Sequence, residues 1–186
     1  MKIGYIVGSL STSSINREVS LAVAGLAPDG VEFVELPYYR LPLYSRDYEA
    51  DMPEAVLDWK AALDSVDGII IVTPEYNRSI PGGLKNALDW ASRPSRHNSL
   101  DRKPVAIAGA APGAIGTAVA QQHLRTILAH LNAPTLAQPE VYLSFNRDTF
   151  PGGGVVANES TKAFLQRFVD AAVDHIALCT RDHATV

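Results

Sequence analysis

The chain has 186 residues, of which 47% are hydrophobic and 19% charged, a balance typical of a folded protein with an ample core. Its net charge of −4 leaves no basic surplus to neutralise a phosphate backbone, so nucleic acid is not expected as a partner. Cys179 is the only cysteine, which excludes an internal disulfide and a metal cluster built from cysteines.

The first strand signal lies at Ile3–Val7, so we expect no signal peptide. Further strand signals lie at Val31–Glu35, Ile69–Thr73 and Val105–Ala108. A fifth, weaker signal is divided between Ala133–Leu136 and 140–141. No apolar run approaches the roughly 20 residues of a membrane span, so the sequence predicts no membrane association and a cytoplasmic location.

Helical periodicity fills the intervals between these strands. Apolar stripes with helical spacing begin at Ile15, Val56, Leu84, Ala120 and Leu165, and those from Ile15, Ala120 and Leu165 follow i, i+4, i+7, i+8, i+11. Strands that alternate with helices predict an α/β fold, in which a parallel sheet is covered by helices on both faces. We find no internal repeat or linker, and the pattern predicts a single domain over residues 1–186.

The loop after the first strand is rich in hydroxyl groups. Between Gly8 and Asn16 it carries the side chains of Ser9, Ser11, Thr12, Ser13 and Ser14. The amino terminus of a helix leaves N–H groups unpaired and favours phosphate, so this loop is a candidate phosphate site. Helix capping by a serine explains the same pattern equally well, and the loop matches neither the Walker A nor the Gly-x-Gly-x-x-Gly motif.

A second candidate loop follows the buried strand at Ile69–Thr73. It is polar and bounded by Pro74 and Pro81, and the helical pattern resumes at Leu84. A loop that leaves the carboxyl end of a central parallel strand lies where open α/β sheets bind ligands. An ordinary strand-to-helix connection is the alternative.

This second loop resembles the flavodoxin-like NAD(P)H-dependent FMN reductases, a family that includes quinone, azo-dye and chromate reductases. The resemblance lies in Pro-Glu-Tyr-Asn at 74–77, followed by Pro-Gly and Leu-Lys-Asn-Ala-Leu-Asp-Trp within 81–90. In the first loop, 8–10 and 14–16 match the family pattern, but Ser11 stands where the family usually has arginine. The resemblance implies a flavodoxin-like fold, a five-stranded parallel sheet in the order 2-1-3-4-5.

The resemblance also implies which residues hold FMN. The phosphate would be bound in the first loop, the flavin ring along the second, and its far edge at the loop after the fourth strand: Ser9, Ser11, Ser14, Ile15, Asn16, Pro74, Glu75, Tyr76, Asn77, Arg78, Ala110 and Gly113. We expect Glu75 to contribute its backbone and Arg78 to favour the reduced, anionic flavin. Because Ser11 removes a cation, we expect weaker FMN binding, partly compensated by Arg17.

By the same resemblance the protein would be an FMN-dependent NAD(P)H oxidoreductase of the flavin or quinone reductase type. Hydride would pass from NADPH or NADH through bound FMN to small electron acceptors such as quinones, with ping-pong kinetics. It would need no catalytic side chain and no metal, and the five histidines lack metal-ligand spacing. The family forms homodimers or homotetramers.

Two other functions stay open at this stage. One is a flavodoxin-like electron carrier that does not oxidise nicotinamide, and the other is a binding module that has lost its flavin. The aromatic segment 36–47 is also open to two interpretations, since its large apolar side chains suit either a ligand or partner surface or the core.

Overall fold

The computed structural model describes residues 1–181. Within them one parallel sheet is formed by β1 (Lys2–Val7), β2 (Glu32–Glu35), β3 (Gly68–Val72), β4 (Val105–Ala111) and β5 (Val141–Ser144). The strands lie in the order β2-β1-β3-β4-β5. The flavodoxin-like order predicted from the sequence is confirmed.

The helices are α1 (Ile15–Ala24), α2 (Glu54–Asp64), α3 (Gly82–Ala91), α4 (Ala118–His130) and α5 (Glu159–Arg181), with a short 3-10 turn at Arg46–Tyr48. They cover both faces of the sheet. As a result β3 is buried on both of its faces, which explains why its sequence is a continuous apolar run. Ile69 and Ile71 pack into the core under α2, α3 and α4, whereas Ile70 and Val72 pack into the core under α1 and α5. A strand buried on both faces has no polar alternation to show.

The fifth strand differs from its prediction. It is Val141–Ser144, so the weak signal at 140–141 marks only its beginning, and the prediction for Ala133–Leu136 is wrong. That segment makes a single bridge to the start of β4, where Val105 donates to the Pro134 carbonyl and Leu136 donates to the Val105 carbonyl, both at 2.8 Å. Pro134 has no N–H to donate, which prevents a longer ladder there.

The aromatic segment 36–47 contributes mainly to the core. Leu36 and Tyr38 are buried, and the ring of Tyr44 meets that of Trp90 edge-on at 5.1 Å. Asn86 of α3 fixes the segment, since its side chain accepts from the Tyr44 N–H and donates to the Pro42 carbonyl. Two side chains at its surface, those of Tyr39 and Leu43, are largely exposed. In residues 1–181, no helix has the length and apolar character needed to cross a bilayer.

Candidate cofactor site

Three loops meet at the carboxyl edge of the sheet and enclose a crevice of about 220 Å³. They connect β1 to α1, β3 to α3 and β4 to α4, and they line the crevice with Ser9, Ser11, Ser13, Ser14, Ile15, Asn16, Pro74, Glu75, Tyr76, Ala110, Ala111 and Pro112. The structure therefore brings together all the predicted site residues except Asn77, Arg78 and Gly113. The sequence reasoning did not select Ser13, Ala111 or Pro112, although they are direct neighbours of selected residues.

The first loop is organised by its own hydroxyl groups. Ser14 caps α1, because its side chain accepts from the Arg17 N–H at 3.3 Å. The Ser9 hydroxyl accepts from the Ser11 N–H and shares a 3.2 Å hydrogen bond with the hydroxyl of Tyr76. The N–H group of Ile15 opens the helix, where no intrahelical carbonyl can accept from it. Capping and anion binding are compatible here, because the cap uses the N–H of Arg17 whereas the N–H of Ile15 is left for an anion.

Asn16 links the first loop to the third. Its side chain is fully buried, accepts from the Ala110 N–H and donates to the Ala110 carbonyl, both at 2.9 Å. The side-chain amide of Asn16 is therefore already occupied by contacts within the protein. Asn16 can offer a phosphate only its backbone N–H, at the start of α1. The predicted cofactor contact of Asn16 stays a prediction for that N–H group.

The second loop folds into a tight turn. Tyr76 and Ser79 exchange two backbone hydrogen bonds, at 2.9 and 3.0 Å, and the residues between them have φ values of 51° at Asn77 and 64° at Arg78. Positive φ at both central positions is the signature of a type I′ turn. The turn projects Asn77 and Arg78 beyond the lining of the crevice, whereas Pro74 to Tyr76 lie along it.

Glu75 attaches the second loop to α4. Only 9% of its side chain is exposed, and its carboxylate accepts from the Ala120 N–H at 3.0 Å and from the Arg78 guanidinium at 3.2 Å. A carboxylate at the amino terminus of a helix is stabilised by the unpaired N–H groups and the helix dipole. The side chain of Glu75 is therefore committed to α4, and the charge of Arg78 is balanced by its neighbour.

The third loop depends on a glycine that the sequence reasoning did not select. A Cβ at Gly109 would collide with the carbonyl oxygen of Thr73 and the hydroxyl of Thr117. The end of β4 can therefore approach the end of β3 only because Gly109 has no side chain. Gly113, which was selected, is exposed with open space around it, and its carbonyl accepts from the Gly116 N–H in a turn.

The expected role of Arg17 towards the phosphate stays a prediction, and the structure shows this side chain paired with an acid. Its guanidinium donates two hydrogen bonds to the Glu35 carboxylate, at 2.8 and 2.9 Å, and this pairing raises the pKa of Arg17. Tyr5 lies at the same carboxylate, and burial, followed by the charge of Glu35, raises the pKa of its phenol. The end of β2 places Glu35 beside the first turn of α1, so the Glu35 carboxylate holds the Arg17 guanidinium.

Among residues 1–181, no three His, Cys, Asp or Glu side chains lie close enough together to hold a metal ion. His183 lies outside the described residues. The crevice itself offers neutral hydroxyls, backbone N–H groups and small apolar side chains, a set suited to an anionic tail beside a planar ring rather than to a cation.

Comparisons with known proteins agree with this geometry. Residues 1–148 match the family model for NADPH-dependent FMN reductase. The chain is 46% identical to a 2-hydroxy-1,4-benzoquinone reductase from Burkholderia sp., over 91% of this chain and 93% of that protein, and 39% identical to a quinone reductase from Pseudomonas putida, over 95% of each. The structure of the flavoenzyme NAD(P)H:(acceptor) oxidoreductase (FerB) from Paracoccus denitrificans superposes with a TM-score of 0.90 at 41% identity, covering 95% of this chain and 97% of that one. The chain belongs to the NADPH-dependent FMN reductase family.

Proposed function

We propose that this protein is an FMN-dependent oxidoreductase that takes hydride from NADPH or NADH and passes the electrons to small acceptors such as quinones. One observation carries the proposal: the open amino terminus of α1 and the walls of a flat crevice lie side by side at the carboxyl edge of the sheet. This is the position at which flavodoxin-like folds bind FMN.

The residues present fit this cofactor at both ends. At one end the hydroxyls of Ser11, Ser13 and Ser14 and the N–H groups that open α1 can donate to a phosphate. At the other end the lining includes Pro74, Ala110, Ala111 and Pro112, apolar residues without long side chains, which suit a planar ring. FMN, when bound, supplies the electron-transfer chemistry itself.

The protein's own residues then position and shield the reacting groups. The hydrogen bond between Ser9 and Tyr76 fixes one wall against the phosphate loop, and Glu75 fixes the same wall against α4. None of the lining side chains has to act as a nucleophile or as a general base for hydride transfer. Tyr76 is about half exposed, so the mouth of the crevice is accessible to a second planar molecule.

The acceptor class is supported by the relatives rather than by a specific side chain. Proteins named for the reduction of quinones are 39% to 46% identical to this chain over more than nine-tenths of its length. We accordingly propose a quinone-type acceptor and alternating, ping-pong use of the crevice by nicotinamide and acceptor. We further propose one domain over residues 1–186, a homodimer or homotetramer, and a cytoplasmic location.

The test is an anaerobic titration of the FMN-loaded protein. We expect NADPH or NADH to bleach the flavin absorbance rapidly and a benzoquinone to restore it, with parallel double-reciprocal plots in steady state. An electron carrier would take up FMN but would not be bleached by nicotinamide, and a flavin-free binding module would not take up FMN at all. Either outcome would contradict the proposal.

A further inference from the structure

The pair formed by Arg17 and Glu35 lies immediately beside the phosphate loop. Together with Ser9, Leu10 and Tyr38 these two residues border a small pocket of about 120 Å³. Ser9 lines both this pocket and the cofactor crevice, so it lies between the ion pair and the crevice. The side chains of the pair are 39% and 31% exposed, which leaves them free to rearrange.

The crevice itself contains no cation. Its lining holds neither lysine nor arginine, and its one ionisable acid, Glu75, is committed to α4 and Arg78. A bound phosphate would therefore meet only neutral hydroxyls and the partial charge of the start of α1. Arg17 is the cation of that first turn, and helical side chains lean towards the amino terminus of their helix, which here is the phosphate loop.

We propose that Glu35 withholds Arg17 from the phosphate of FMN and so keeps the FMN affinity of this chain low. The inference rests on the proposed FMN site. Both terminal nitrogens of the Arg17 guanidinium are bound by the carboxylate, a two-pronged, charge-assisted arrangement. Arg17 cannot keep both bonds and also turn to a phosphate, and turning away would leave Glu35 beside the incoming anion. Glu35 is thus an affinity-setting residue that acts through Arg17.

The experiment measures FMN binding to the flavin-free protein by quenching of flavin fluorescence, without any turnover. In Glu35→Gln the neutral amide keeps one acceptor oxygen but loses the charge and the second hydrogen bond, so the partly exposed cation is released more readily to the phosphate. We expect the dissociation constant of FMN to fall about 5- to 30-fold at low salt, and by less at high salt. Glu35→Ala, which removes the acceptor entirely, is the second variant and should tighten binding in the same way.

Three controls isolate the mechanism. Riboflavin, which lacks the phosphate, should bind Glu35→Gln and the unchanged protein equally well. In the double variant Glu35→Gln with Arg17→Met, which removes both charges of the pair, the gain should disappear, and FMN affinity should lie within twofold of that of the unchanged protein. Glu32→Gln removes the same charge from the opposite end of β2, about 10 Å away, and should leave FMN affinity unchanged.

The outcomes separate this inference from the proposed function. If the unchanged protein binds no FMN and no riboflavin, the proposed function fails. If FMN binds but Glu35→Gln and Glu35→Ala bind it no more tightly, the inference alone is refuted. A gain that persists without Arg17, or that riboflavin shares, would also refute it. A tenfold loss in the double variant, relative to the unchanged protein, would show that Arg17 already serves the phosphate and would refute the inference as well.

Discussion

Replacing Asn16 with leucine tests the link between the first and third loops of the crevice. Leucine branches at the same carbon and is bulkier, so it leaves no cavity, but it cannot pair with the N–H or the carbonyl of Ala110. Both hydrogen bonds are 2.9 Å long and fully buried, so the substitution leaves two buried backbone groups unsatisfied. At about 1–3 kcal/mol for each such group, we expect the free energy of unfolding to fall by about 2–6 kcal/mol.

Thermal unfolding of the flavin-free protein measures this loss, which corresponds to a fall in Tm of roughly 4–24 °C for a chain of this size. Asn98→Leu is the matched control, because Asn98 also makes two hydrogen bonds, to Leu131 and Leu100, away from the crevice. We expect both variants to be destabilised but only Asn16→Leu to bind FMN more weakly. Unchanged stability, or equal loss of FMN affinity in both variants, would refute the bracing role.

Gly109→Ala should destabilise the protein by about 1–3 kcal/mol or more, because its Cβ meets the backbone of Thr73, whereas Gly113→Ala should not. Thermal melts of both variants check this, and equal Tm values would contradict the packing argument. Ser11→Arg restores the cation that the resemblance leads one to expect, and it should tighten FMN but not riboflavin. Arg78→Ala should lower the flavin midpoint potential by roughly 5–20 mV, since it leaves Glu75 unbalanced, with Arg78→Lys as the control. An unchanged or higher potential would exclude this electrostatic role.

The sequence predicted the fold well because the sheet is parallel and deeply buried. Continuous apolar runs mark β1, β3 and β4 without ambiguity, and the helices between them show clear periodicity. The fifth strand was missed in part because Val141–Ser144 is short and its Tyr142 and Ser144 are not buried. Its apolar pattern is no stronger than that of the neighbouring 133–136 segment, and only the tertiary pairing with β4 distinguishes the two.

The site was predictable at the level of loops but not of individual side-chain roles. Hydroxyl-rich and proline-bounded loops at strand ends are visible in the sequence, and most of the selected residues do line the crevice. The contacts of Asn16 with Ala110 and of Glu75 with Ala120 join residues far apart in the chain. The pairing of Arg17 with Glu35 also joins separate segments of the chain. No local sequence pattern indicates which residues will become partners in this way.

These long-range contacts have a common consequence for cofactor binding. Asn16 joins the first loop to the third, the bond from Ser9 to Tyr76 joins the first to the second, and Glu75 joins the second to α4. A crevice braced on all sides needs little further ordering when a ligand enters, so the conformational cost of binding is small. What limits affinity is then the charge opposite the phosphate, which Ser11 does not supply. Riboflavin, which lacks the phosphate and its hydrogen bonds to the first loop, should therefore bind more weakly than FMN, by a margin that Ser11→Arg widens.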